Sequence, residues 1–380
     1  MQVCLDYQPA VAQRAGIGRY TRLLARHLAP LAGQADELRL FYLDFTRRAD
    51  PPDVPGAVPH AWRLLPGALI QQLWKRAGRP AYDRLAGSAD LYHFTNFIIP
   101  PLARGKAVVS IHDMSFARFP ECAEARNRSY LEAQMGATIR RADAIITISH
   151  FSAGEIAAFH PGAAGKIHVT YLGIDASFVR PPQTVIDDAR RRLGLERPYL
   201  LSVGTIEPRK QFPLLVESFD ALDRNDLDLV IAGMPGWNCE AIFRAFAGAR
   251  RARQIRYLRY VPEGDLPALY AGAEVFALAS RYEGFGFTPL EAMACGAPVV
   301  VSPGGSLAEV VGDAAVIVAE ADPGAWRLAL ARVLDDSALR RRLQAAGLEQ
   351  ARRYRWAETA RQTWDVYRRV LNQTAGEERP

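Results

Sequence analysis

Two glutamates with seven residues between them, Glu283 and Glu291, lie in the run Ser280-Arg281-Tyr282-Glu283-Gly284-Phe285-Gly286-Phe287-Thr288-Pro289-Leu290-Glu291-Ala292-Met293. The apolar stretch Val275–Leu278 just before it reads as a strand, and the spacing after it predicts a helix starting near Phe287. The glycines therefore fall in the turn, where backbone can approach a ligand closely, and the N–H groups of a helix start favour an anion such as a diphosphate. Glu283 in the loop and Glu291 about a turn into the helix would grip hydroxyl groups on either side of the phosphates. A second run, Ser202-Val203-Gly204-Thr205-Ile206-Glu207-Pro208-Arg209-Lys210, also follows a strand and ends in two cations. Of 47 basic residues only Lys75, Lys106, Lys166 and Lys210 are lysines, so a lysine inside a motif stands out.

The first half carries sparser signals. Gly16-Ile17-Gly18-Arg19-Tyr20 opens a helix after the first strand, a place where it would meet a diphosphate. It lacks the third glycine of a dinucleotide fingerprint, and no acidic residue closes a second strand at the right distance, which argues against a dehydrogenase. His112-Asp113 ends a strand over 107–111, and His93 and Asn96 end another; strand ends in open α/β sheets face the ligand crevice. Asp226-Leu227-Asp228 imitates a metal-binding Asp-x-Asp but leads straight into an apolar run. No histidines stand at metal-ligand spacing, so neither a metal nor a cofactor is expected.

The elements that position these residues follow from the alternation of short apolar runs with helical patterns, the rhythm of parallel sheets covered on both faces. Strands are predicted at 2–6, 39–43, 91–93, 107–111, 144–148 and 167–170, with helices at 17–29 and 125–141. After a polar stretch at 178–192, read as the hinge, further strands are predicted at 199–203, 228–232, 255–258, 275–278, 298–301 and 315–318. A helix at 267–271 follows the turn Tyr260-Val261-Pro262-Glu263-Gly264-Asp265-Leu266, and helices fill 325 to about 371. At 380 residues the chain suits two α/β domains, and 49% hydrophobic with 23% charged residues fits a globular protein.

These motifs resemble those of glycosyltransferase group 1, a retaining family with the GT-B fold: α/β, two Rossmann-like domains facing a deep cleft. The resemblance covers nearly the whole chain and is densest from Gly204 to Gly312. It implies an N-terminal acceptor domain over 1–180, a donor domain over 181–355 and a C-terminal helix at 356–380 returning to the first domain. It implies that Glu283 holds hydroxyls of the donor sugar, Glu291 the ribose diol, and that Arg209 and Lys210 neutralise the departing nucleoside diphosphate, as a metal ion would. Gly16, Gly18, Gly204, Gly286, Phe287 and Thr288 would line the diphosphate, Val261 the base through its backbone, and His112 the donor sugar near the reacting carbon; His93 and Asn96 would face the acceptor. Gln211 departs from the asparagine common at its position. Ser110-Ile111-His112-Asp113, the run from Gly204 to Lys210 and Ser306-Leu307-Ala308-Glu309-Val310-Val311-Gly312-Asp313 look most like bacterial mannosyltransferases of surface polysaccharide synthesis. That favours mannose from GDP-mannose and a saccharide or lipid-linked saccharide acceptor, with a UDP-glucose-type donor as the alternative.

A non-catalytic sugar-nucleotide-binding scaffold is a rival reading, but it would not need Arg209, Lys210, Glu283 and Glu291 together. The net charge of +6 suits anionic lipid, phosphorylated ligands or nucleic acid, yet no nucleic-acid recognition element accompanies it. Cys4, Cys122, Cys239 and Cys295 form no Cys-x-x-Cys pair, which fits a reducing compartment. With no leader pattern and no run of about 18 apolar residues, a cytoplasmic location is expected. Residues 69–85 alternate Leu69, Ile70, Leu73 and Trp74 with Lys75, Arg76, Arg79 and Arg84, as a helix docked on its own sheet or lying on the anionic inner face of a membrane would.

Overall fold

The computed structural model describes residues 1–13 and 16–377, with side chains to 372. It divides into two compact units, one comprising 1–114, 126–173 and 355–380, the other 115–125 and 174–354.

The first unit is built on seven parallel strands: β1 (Gln2–Asp6), β2 (Glu37–Leu43), β3 (Val58–Trp62), β4 (Leu91–Phe94), β5 (Lys106–Ser110), β6 (Ala144–Thr147) and β7 (Ile167–Val169), in the order β3-β2-β1-β4-β5-β6-β7. Every residue of β4 and β6 is buried, as strands covered on both faces require. The edge strand β3 escapes the sequence reading because Val-Pro-His-Ala-Trp has no apolar run and is half-exposed; Pro59 is tolerated at an edge. The helix Ile17–Leu28 packs Tyr20, Leu23, Leu24 and Leu28 inward, and the helix Trp356–Glu377 lies against it.

The second unit has six parallel strands, β8 (Tyr199–Val203), β9 (Asp228–Ala232), β10 (Ile255–Arg259), β11 (Val275–Leu278), β12 (Val299–Val301) and β13 (Val316–Ile317), ordered β10-β9-β8-β11-β12-β13. One layer of its core joins Leu200, Phe212, Phe219, Leu229, Trp326 and Leu330. The helices Pro323–Asp335 and Ser337–Ala351 are each opened by an aspartate, Asp322 and Asp336, whose carboxylate accepts from first-turn amides. In both units the strand order reverses beside the first strand. The C-terminal ends of β1 and β4, and of β8 and β11, therefore diverge and leave a natural ligand crevice.

Three sequence expectations change here. The polar stretch at 178–192 is not an irregular hinge throughout: Gln183–Leu193 is a helix, with Ile186 and Ala189 buried and Gly194 closing it in the left-handed conformation at φ 66°. Residues 69–85 do not make one helix. Gly67–Ala77 ends at Gly78 and a short helix, Tyr82–Ala86, follows; Ile70 and Leu85 are buried and Trp74 Nε1 donates to the Pro80 carbonyl at 2.7 Å. Much of the apolar stripe is thus docked on the protein itself. Residues 115–125 leave the first unit's sequence block to join the second, where Phe119 packs edge-on to Tyr282 at 5.8 Å. Among the described residues no helix is long and apolar enough to cross a membrane.

Candidate functional site

In the second unit the loops after β8 and β11, which flank its switch point, meet. Glu283 is their centre. Its Oε1 accepts from Lys210 Nζ at 2.5 Å and Ser280 Oγ at 2.6 Å, and its Oε2 from Arg209 Nη1 at 3.0 Å. Arg209 also donates to the Tyr282 carbonyl and the Glu207 carboxylate. The two loops are stitched through backbone as well, Arg281 N donating to the Arg209 carbonyl at 2.9 Å. Burial works to raise the Glu283 carboxyl, but Lys210 and then Arg209 outweigh it and hold the group at about 2. Glu283 is therefore an ionised hydrogen-bond acceptor at neutral pH and no proton donor.

Glycine makes this packing feasible. At Gly204 a side chain would press on Lys210, its Cβ falling 3.3 Å from Lys210 Cε; at Gly233, φ +151°, a Cβ would fall 1.9 Å from the Gly204 carbonyl oxygen. The loop after β12 fixes Glu283 from behind. Glu283 N donates to the Gly304 carbonyl at 3.2 Å, while Ser306 donates to the Glu283 carbonyl from its N–H at 2.9 Å and from its Oγ at 3.0 Å. Gly305, at φ +69°, lies so close that a Cβ there would be 2.2 Å from the Glu283 oxygen.

The glycine turn leads into the helix Phe287–Ala294, with Gly286 as N-cap at φ 116° and Phe287 and Thr288 half-buried in the first turn. First-turn amides of a helix have no acceptor within that helix, an arrangement that suits an anion. Glu291 is placed apart from the ion cluster, a turn further on. It is 2% exposed and takes a 3.0 Å hydrogen bond from Tyr270 Oη. Val261 is buried in the turn after β10.

In the first unit, Gly16 caps the helix Ile17–Leu28 at φ 59°, and a Cβ at Gly18 would meet the Gln13 carbonyl oxygen at 2.0 Å. Arg14 and Ala15 lie outside the described residues. His112 follows β5, nearly buried, its Nε2 2.9 Å from the Thr95 carbonyl and its ring edge-on to Tyr20 at 4.8 Å. A carbonyl can only accept, so Nε2 carries the proton; burial depresses the imidazole's pKa and keeps it neutral. Asn96 is half-buried at the end of β4.

His93 differs from the expectation that it faces an acceptor. It is fully buried, with Nδ1 2.6 Å from Tyr367 Oη and Nε2 2.8 Å from Ser110 Oγ, which in turn lies 2.8 Å from Tyr20 Oη. Both ring nitrogens are engaged, and burial pushes the pKa down to about 3. Its role in this structure is to join the C-terminal helix to the glycine-capped one.

Sequence reading did not assign Glu207, Tyr270, Ser280, Ser306, Gly305 or Tyr367. A glutamate directly before Pro-Arg-Lys and a Gly-Gly pair after a strand were the available signals. Asp226 is exposed and pairs with Arg224 at 3.0 Å, while Asp228 starts β9; among the described residues no cluster of three His, Cys, Asp or Glu could hold a metal.

Comparison with known proteins gives the family. The model of the Glycosyl transferases group 1 matches residues 185–350, and that of Glycosyltransferase Family 4 residues 14–178. The O-antigen chain mannosyltransferase B of Escherichia coli is 32% identical over 382 residues, covering 97% of this chain and all of that protein. A D-inositol 3-phosphate glycosyltransferase of Salinispora tropica is 30% identical, with 95% and 82% covered. The sucrose-phosphate synthase structure from Thermosynechococcus elongatus aligns over 98% of this chain and 100% of its own with a TM-score of 0.78 at 21% identity, a likeness of fold. From its two Rossmann-like sheets, its glycine-framed glutamates and relatives that span its length, the chain belongs to the group 1 glycosyltransferases of GT-B fold.

Proposed function

We propose that this enzyme is a retaining mannosyltransferase, moving mannose from GDP-mannose to a saccharide or lipid-linked saccharide acceptor in polysaccharide biosynthesis. The observation that carries the reading is Glu283 held between Lys210 and Arg209 at the switch point of the second sheet. A diphosphate drawn to the helix start at Phe287 exchanges with the Glu283 carboxylate for the two cations, which neutralise the charge that gathers as the glycosidic bond breaks. Glu283, released in part, accepts from hydroxyls of the donor sugar, and Glu291 from the ribose diol. Two cations suffice for the leaving group, so no metal is required. Both Glu283 oxygens are engaged by donors, an arrangement that suits an acceptor of hydrogen bonds better than a covalent nucleophile. Attack on the leaving-group face through an oxocarbenium-like state follows. Mannose as the sugar, and polysaccharide as the product, rest on the full-length similarity to the O-antigen mannosyltransferase.

A lipid-linked acceptor brings the enzyme to an anionic membrane surface. The face supporting this keeps Leu69, Arg76 and Arg79 of the stripe read in the sequence, loses the buried Ile70, and extends back to Leu64. Leu64 at 71% exposure, Leu65 and Leu69 stand out before and in the first turn of the helix Gly67–Ala77, Arg63 precedes them, paired to Asp44 at 3.3 Å, and Arg76 and Arg79 at and beyond its end are exposed as well. Exposed leucines amid cations suit an anionic lipid surface. Co-sedimentation with phosphatidylglycerol vesicles, reduced by Leu64→Ser with Leu69→Ser, is the expected result; equal binding by both proteins removes this contact.

The test of the activity is incubation with radiolabelled GDP-mannose or UDP-glucose and a panel of lipid-linked and soluble saccharides, with the product's anomer read by NMR. Transfer from GDP-mannose with retained configuration is expected. Transfer from UDP-glucose alone overturns the donor, inversion overturns the mechanism, and binding without turnover on any acceptor favours a scaffold.

A further inference from the structure

Glu207 is a buried carboxylate, 1% exposed, that the transfer reaction above does not use. One oxygen accepts from Arg209 Nη2; the other, Oε2, is buried with no hydrogen-bond partner. A bare buried carboxylate oxygen is costly and calls for an explanation. Because Oε2 is closed off from solvent, a ligand hydroxyl does not reach it, whereas a proton does.

Arg209 is shared. Glu207 holds Nη2 while Glu283 holds Nη1, so these two carboxylates and two cations, Arg209 and Lys210, balance to zero charge. A diphosphate adds at least two negative charges, and the cations that turn to it leave the carboxylates. Glu283 keeps Ser280 as a donor. Glu207, with only Arg209 on one oxygen, is the weaker of the two. Its surroundings favour protonation: burial raises the carboxyl's pKa, Arg209 and Lys210 oppose this, and Glu283 adds to it. Arg281 on the β11 loop and Glu121 act, together with Arg209 and Glu207, on the nearby Cys122 thiol, and the loop after β9 brings up Gly236, whose Cβ would be 3.5 Å from Glu207 Cβ.

We propose that Glu207 is the proton site of the diphosphate pocket: when a nucleoside diphosphate takes Arg209 and Lys210, the Glu207 carboxylate takes up a proton and stays in place as a neutral acid. Product release returns the proton and restores the Glu207 to Arg209 pair. Glu207 is thus a positioning residue that acts through Arg209 and makes donor affinity depend on pH. This rests on the donor-site reading above.

The experiment is calorimetry of inorganic pyrophosphate and of GDP with the full chain, at neutral pH, in two buffers of different ionisation enthalpy. Net uptake approaching about one proton per diphosphate is expected, with affinity falling up to about tenfold per pH unit as pH rises through the titration. Glu207→Gln keeps the shape and an acceptor for Arg209, and it should bind with the uptake and the pH slope both lost. Binding without uptake, or equal uptake in Glu207→Gln, overturns the proposal and leaves the donor site standing. Should that variant not fold, difference infrared spectroscopy of the wild type with pyrophosphate decides: a new protonated-carboxyl band supports Glu207, and its absence overturns it. If neither probe binds the wild type, the donor-site reading itself falls and takes this proposal with it.

Discussion

Lys210 Nζ lies 2.5 Å from Glu283 Oε1, closing a bridge between the loop after β8 and the loop after β11. In Lys210→Ala, Arg209 and Ser280 still satisfy Glu283, so the fold should survive while the leaving group loses a cation. Turnover should fall by about 100-fold or more, the scale for removing one charge-stabilising group. Transfer assays beside circular dichroism check this, and a well-folded Lys210→Ala enzyme working at near-normal rate would falsify the role of Lys210.

Glu291 and Tyr270 form a buried pair on neighbouring helices. Glu291→Ala should weaken GDP affinity, read by calorimetry, with a smaller effect on turnover at saturating donor. Tyr270→Phe removes one hydrogen bond from the carboxylate, and a loss of about 1–3 kcal/mol of stability follows from leaving a buried oxygen short of a donor. Unchanged GDP affinity in Glu291→Ala contradicts the ribose assignment.

The motif glutamates and the cation pair were legible because chemistry-bearing residues sit next to strong strand signals: Val275–Leu278 and Tyr199–Val203 are wholly apolar runs apart from Tyr199 and Ser202. What surrounds them was not. Ser306 reaches Glu283 from 23 residues away and Tyr367 reaches His93 from 274, and no local pattern encodes such pairings. His93 misled for the same reason: a strand end suggests a crevice, and only the arrival of a distant helix turns the ring inward. Strand β3 was hidden because an edge needs little apolar sequence.

His93 makes the stability of the first unit depend on pH. Its pKa is depressed from about 6.5 unfolded to about 3 folded, so the unfolded chain binds more protons between these values. Stability is full above about pH 6.5 and declines as pH falls below it, by up to about 1.4 kcal/mol per pH unit from this residue. Glu283, ionised down to about 2, adds a further loss only below about pH 4.3, its unfolded value. Thermal melts from pH 7 to 5 should show a slope that flattens in His93→Gln; an equal slope assigns the loss elsewhere.

Gly305→Ala places a methyl 2.2 Å from the Glu283 carbonyl oxygen at a φ of +69°. Backbone must move, and the carboxylate moves with it. A fall in turnover comparable to that of Glu283→Ala is expected, whereas Gly264→Ala, where a Cβ meets nothing within 4 Å, should stay active. Equal rates for both variants show that the loop after β12 does not set the position of Glu283.

The first unit takes residues 355–380 from the far end of the chain. As synthesis proceeds from the N-terminus, the unit begun earliest is completed last: Trp356, Thr359 and Tyr367, all buried, leave the ribosome after every strand of both sheets. Until then His93 lacks its Tyr367 partner and Tyr20 its Trp356 neighbour. A nascent chain stalled before residue 355 should therefore expose this face to chaperones and proteases, and emergence of the helix Trp356–Glu377 becomes the step that seals it.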